Sequence, residues 1–208
     1  MPAIVLFGDV IRSRRDAPAA TAWLRRLTAD LTAAIAPDQR IARFEFTQGD
    51  ELQGLLAPTA DPMTVILRSA LHPKAVPMRW AVVLGEVDPG RGPATQRSGP
   101  AFIMARERLA VAAARRERLT VVTGDPSTDE ILDAVAPLLG ELLAELTPRQ
   151  REIAWLMLVE RLRQADVADR LRVTRATISV ASDRAHIPSL GAVAAAVTNL
   201  LRRATMPP

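Results

Sequence analysis

The chain of 208 residues contains no cysteine. Disulfides, zinc thiolates, iron–sulfur clusters and thiol nucleophiles are therefore excluded. Histidine is nearly as scarce: His72 and His186 are the only two, too few for an imidazole metal cage and a poor basis for a Ser-His-Asp triad. Aromatics make up 3% of the chain against 49% hydrophobic residues, so the core must be built from Leu, Val, Ile and Ala. No apolar run approaches the ~18 residues of a membrane span. The start, Met1-Pro2-Ala3-Ile4-Val5-Leu6-Phe7-Gly8-Asp9, has no basic leader and meets a carboxylate after a few apolar residues. It reads as a buried strand rather than a signal peptide, and a cytoplasmic protein is expected. The length suits one large domain or two small ones.

Lysine is also rare, since Lys74 is the only one, and arginine supplies almost all the positive charge. Residues 1–146 carry a net charge of −1 and residues 147–208 a net charge of +5, within a total of +4. The basic excess thus sits in the last third. Arginine forks pair well with phosphates, which makes an anionic partner for that end a reasonable expectation. A solvated basic helix face is the plainer alternative.

Residues 1–125 alternate strand and helix. Ile4–Phe7 forms a continuous apolar run, as in a central strand. Pro18–Ile35 has helical spacing, with Trp23, Leu24, Leu27, Leu31 and Ile35 on one stripe and Pro18 tolerated in the first turn. Residues 40–47 alternate, Gln48-Gly49-Asp50 has turn chemistry, and residues 51–56 resume as a strand. A helix near 62–71, a strand near 78–87, a flexible Gly/Pro/Arg-rich loop at 88–98, a helix from Gly99-Pro100 to about Arg116 and a strand at 119–122 complete the part. The order βαββαβ predicts a ferredoxin-like domain within an α+β chain, with one further helix and strand appended. Residues 126–146 read as a linking helix strained at Pro137.

Residues 147–208 read as an all-α domain. Thr147 caps a helix with Pro148 at its first position, extending to about Glu160. A short helix at 164–171 breaks at Arg172-Val173, and Thr174 caps another to about Ala185. Val167, Leu171, Val173 and Ile178 are spaced to form a small core between crossed helices, with Ala168 at the close approach. This is the helix-turn-helix pattern, with 174–185 as the recognition helix. Thr174, Arg175, Thr177, Ser179, Ser182 and Arg184 are its expected DNA-facing residues, and double-stranded DNA is the expected partner. Residues 189–203 form an apolar helix that either seals a dimer or packs back on the bundle.

Asp9 ends the first strand and Asp50 lies in the turn between the next two. A ferredoxin-like sheet can bring them together, and two carboxylates without imidazole or thiolate suit Mg²⁺ or Mn²⁺. Their plainer roles are a loop cap and an ordinary turn aspartate.

The segments Leu6-Phe7-Gly8-Asp9-Val10, Thr47-Gln48-Gly49-Asp50-Glu51, residues 79–87 and Gly99-Pro100-Ala101-Phe102 with Ala105-Arg106 occur in the order and spacing of class III nucleotide cyclases. Over about the first 120 residues the chain resembles the SatD family. The cyclase resemblance implies that Asp9 and Asp50 bind metal, that Arg106 steadies a triphosphate, and that the chain is a homodimer. It also implies a purine-reading Lys and a transition-state Asn, at whose positions stand Phe46 and Phe102. Neither Phe can donate a hydrogen bond, and losing even one preorganised donor costs ~2.7–4 kcal/mol in a transition state. Residues 146–179 resemble the promoter-reading region of sigma factors, although Arg172 stands where the turn often has Gly and Asp183 lies near the DNA face. Together these imply a DNA-binding transcriptional regulator whose cyclase-like domain is degenerate as an enzyme and senses a nucleotide or metal. The rivals are an active Mg²⁺- or Mn²⁺-dependent nucleotidyl enzyme and a basic module that docks an acidic protein or RNA. Glu51 and Glu86 are secondary carboxylate candidates.

Overall fold

A computed structural model describes residues 1–47 and 51–205. The apolar run at the start becomes β1 (Pro2–Val10), the middle strand of a five-stranded sheet ordered β2-β3-β1-β4-β5. The other strands are β2 (Arg40–Phe46), β3 (Glu51–Leu56), β4 (Met78–Glu86) and β5 (Leu119–Val122). β1 pairs antiparallel with both β3 and β4, β2 pairs antiparallel with β3, and only β4–β5 is parallel. Ile4, Val5 and Leu6 are fully buried, because both faces of β1 are covered; that is why its sequence runs apolar without alternating.

The two faces are covered unequally. On the broader side lie α1 (Ala17–Ala34), α2 (Met63–Leu71) and α4 (Pro126–Glu145), and their core continues through the C-terminal helices to Leu201. On the other side α3 (Pro100–Arg115) and the short turn Ala94–Gln96 supply the cover, over Ala3, Val5, Phe7, Ala81 and Val83. A single long helix cannot span five strands, so this face keeps an open stretch.

Helix boundaries follow local chemistry. Asp16 caps α1 by accepting from the Ala19 N–H at 3.0 Å, and Pro18 stands in the first turn. The helix read as a linker runs unbroken through Pro137, buries Leu132, Ala136, Leu139 and Leu143, and packs on β5 and on α8 (Ile187–Ala204). The segment read as a flexible loop at 88–98 folds back on itself: the Asp88 N–H donates to the Ser98 carbonyl at 3.0 Å, and Ser98 Oγ donates to Asp88 Oδ2 at 2.8 Å.

After α4 come α5 (Pro148–Ala154), a π-helical turn at Trp155–Val159, α6 (Gln164–Leu171) and α7 (Arg175–Arg184). Thr147 and Gln150 form a reciprocal capping box at the start of α5. The apolar stripe of α8 (Ile187, Leu190, Ala194, Val197, Leu201) is buried within the chain against α4 and α2, so that face is used internally rather than left free to seal a dimer. Thr198 Oγ1 donates to Asp61 Oδ1 at 2.5 Å and fastens α8 to the loop before α2. Among the described residues, no helix is long and apolar enough to cross a membrane.

Candidate functional site

Strand alternation and register assemble the candidate site on the sparsely covered face. Asp9 stands opposite Glu51 on β3 and opposite Arg79 on β4, which places three charged side chains in a row across the sheet. Arg79 Nη1 approaches Asp9 Oδ2 at 3.3 Å, and Arg79 Nε donates to the Glu117 carbonyl at 3.0 Å. Glu51 Oε1 accepts from Gln53 Nε2 at 2.7 Å and lies 3.5 Å from Arg106 Nη2 on α3. Glu45, the register partner of Gln53, accepts a hydrogen bond from Thr95 Oγ1. Beside this row opens a cleft of about 770 Å³, walled by Phe7, Gln53, Phe102 and Arg106 on the sheet and α3 sides and by Thr95 and Arg97 from the loop.

The sequence-derived residues fare differently. Asp9 and Arg106 both reach this site, joined through Glu51 rather than directly. Arg106 also rests over the Phe7 ring, 5.6 Å from its centroid, and Phe102 packs edge-on against Phe7 at 5.9 Å. Asp50 lies outside the described residues. Phe46 is turned to the other face, where it packs against the larger core, because it pairs with Leu52 while its neighbour Glu45 pairs with Gln53. A side chain at position 46 therefore points away from Asp9. Glu86 sits at the opposite end of β4, 2.6 Å from the N-terminal ammonium, and takes no part in the site.

Arg79, Gln53 and Glu45 were not singled out from sequence. Their polarity at alternating strand positions is visible there, but only the register places them beside Asp9. Among the described residues, no group of three or more His, Cys, Asp or Glu side chains could hold a metal ion.

At the C-terminal end, α6 and α7 cross over Val167, Ala168 and Ile178, all buried. Thr174 Oγ1 accepts from the Thr177 N–H at 3.1 Å and caps α7. Arg172 adopts φ +53° where glycine would be unstrained, and the Val173 N–H closes the end of α6 on the Ala168 carbonyl at 3.0 Å. Thr174, Arg175, Thr177 and Arg184 are exposed, as is Asp183, while Ser179 is half-buried. Ser182 corrects the expectation. It is fully buried, its hydroxyl without a partner among the described residues, because it falls on the same side of α7 as Ile178, four residues earlier. Arg175 and Arg184 make no ion pair among the described residues, whereas Arg170 on α6 pairs with Glu160 at 2.5 Å.

No family model matches the chain, and no curated protein does. The solved structure of a bacterial light-regulated adenylyl cyclase is similar over 58% of this chain and 42% of its own, at 12% identity and a TM-score of 0.39. The present chain thus spans less than half of that protein, and the likeness is too low to carry an argument about fold or activity.

Proposed function

We propose that this protein is a DNA-binding regulator in which α6 and α7 form a helix-turn-helix and the cleft on the sheet, with Arg97 and Arg106 on its wall, receives an anionic ligand. The observation that carries the reading is the surface of α7. A capped helix presents Arg175, Thr177 and Arg184 to solvent, with both arginines unpaired among the described residues. The Arg175 guanidinium beside the helix N-terminus favours phosphate, Arg184 adds positive charge at the other end of the helix, and the exposed Thr177 serves backbone or base contacts. A homodimer would present two such helices to a palindromic site.

The strand order, with β1 between β3 and β4 and the β2–β3 hairpin outside, supports a ferredoxin-like domain of the kind seen in class III cyclases. Asp9 and Glu51, neighbours in the charged row beside the cleft, offer oxygen donors that suit Mg²⁺ or Mn²⁺ arriving on a nucleotide's phosphates. Each already faces an arginine, so such an ion would compete with Arg79 and Arg106. Catalytic turnover is the less favoured reading, since Phe46 faces away and Phe102 is buried against Phe7.

The test is fluorescence anisotropy with a labelled duplex across a salt series. Replacing Arg175→Ala and Arg184→Ala together should weaken binding and lower the slope of log K against log salt by about two, at ~0.9 per phosphate contact. Equal affinity and slope in the variant would remove α7 from the DNA interface and overturn the reading.

A further inference from the structure

A second cavity lies between the sheet and the C-terminal helices, away from the cleft on the α3 face. It has a volume of about 90 Å³ and is bordered by α2, the approach to β4, β5, α4 and α5. Its walls are mostly aliphatic, but two buried donors on its lining have no acceptor among the described residues: Trp80 Nε1 and Arg151 Nε. Trp80 is 3% exposed. A buried N–H left unpaired costs about 1–3 kcal/mol, so two on one cavity call for an explanation.

The orientation of Trp80 is set by its neighbours. The six-membered edge of the indole lies over Gly8 so closely that a Cβ there would meet the ring at 2.6 Å. The pyrrole edge with its N–H is thereby turned away from Gly8 of β1, and Trp80 lines the cavity. Gly140 of α4 likewise admits Arg118 and Leu119, since a Cβ would stand 2.8 Å from that of Arg118. Arg118 and Arg151 both line the space, and neither has an acidic partner among the described residues. No described acidic side chain lines it.

We infer that this cavity binds a short-chain monocarboxylate. The carboxylate would accept from Trp80 Nε1–H and Arg151 Nε–H, and Arg118 would add positive charge. The hydrocarbon tail would lie against Leu143, Ala144 and Met78. The volume is several times the ~10–15 Å³ that a single water needs, so the space admits a small organic ligand. An aliphatic wall favours such a ligand over inorganic phosphate, and two arginines without acidic partners among the described residues favour it over a neutral amide. The site joins β4 to α5, the first helix of the C-terminal array, and it stands independently of the DNA-binding reading.

The experiment follows the indole N–H signals of the full-length protein by ¹H–¹⁵N NMR during titration with butyrate, and separately with butyramide and inorganic phosphate. Trp23→Phe and Trp155→Phe assign the Trp80 signal by elimination, so the assignment does not depend on a Trp80 variant folding. Butyrate should move the Trp80 signal downfield and saturate it, and butyramide and phosphate should each need at least about ten-fold higher concentration. Arg151→Gln should raise the half-saturating butyrate concentration by about ten-fold. No saturable movement with butyrate would overturn the assignment, as would saturation by phosphate or butyramide at the same concentration. A response to butyrate unchanged in Arg151→Gln would overturn it too.

Discussion

Asp9 and Arg79 face each other across β1 and β4, with Oδ2 and Nη1 3.3 Å apart and the arginine side chain 11% exposed. The first carboxylate that the sequence offers as a metal ligand is thus held by a cation from the neighbouring strand. The guanidinium is in turn fixed by the Glu117 carbonyl, just ahead of β5, so the pair ties three strands together at one end of the sheet.

Asp9→Asn should therefore destabilise the fold. It leaves a mostly buried guanidinium without its countercharge, at a cost of about 1–3 kcal/mol in urea denaturation at neutral pH. Combined with Arg79→Gln, the loss should be smaller than the sum of the two single losses. Strict additivity would mean that the two side chains do not interact in solution.

Ser182→Ala is expected to be neutral or to stabilise by up to about 1 kcal/mol, because it removes a buried hydroxyl that has no partner among the described residues. DNA affinity should not change. A loss of affinity in the anisotropy assay would mean that Ser182 reaches the duplex after all, and that α7 is rotated relative to the arrangement described above.

His72 lies between two tryptophans, its ring centroid 5.1 Å from Trp23 and 5.3 Å from Trp155. Its Nδ1 accepts from the Lys74 N–H at 3.0 Å, which requires the unprotonated nitrogen. Burial pushes its pKa below the ordinary 6.5, with Arg26, Lys74 and Arg68 adding to the shift and Asp30 opposing it. The unfolded chain therefore binds the proton more readily. The contribution of His72 to stability is full above about pH 6.5 and is lost as the pH falls through the lower folded value. His72→Phe keeps a ring between the tryptophans and should flatten the decline in stability between pH 7 and 5. An equal decline in both proteins would assign it to other groups.

Much of the architecture could be read from the residues in order. The run Ile4–Phe7, the stripe from Trp23 to Leu31 and the caps at Thr147 and Thr174 mark elements that the structure contains within a few residues of their expected ends. These signals are local: strand alternation, helical spacing and capping act over a few residues and need no partner from elsewhere in the chain. The chemistry at Asp9 was legible only as a carboxylate at a strand end.

What surrounds Asp9 was decided by tertiary structure. The β1–β4 register sets Arg79 beside it, and the register of β2 on β3 turns Phe46 to one face and Glu45 to the other. A shift of one residue in either pairing would exchange the faces, and nothing in the local sequence records that choice. The same holds for Ser182, whose polarity suggested an outward position. Packing of α7 against its neighbours set the side of the helix that is buried. Sequence alone determined the elements, the aliphatic core and the concentration of arginine at one end. The partners of each charged side chain were settled by contacts between residues far apart in the chain, because register and helix rotation are fixed only when whole faces are buried together.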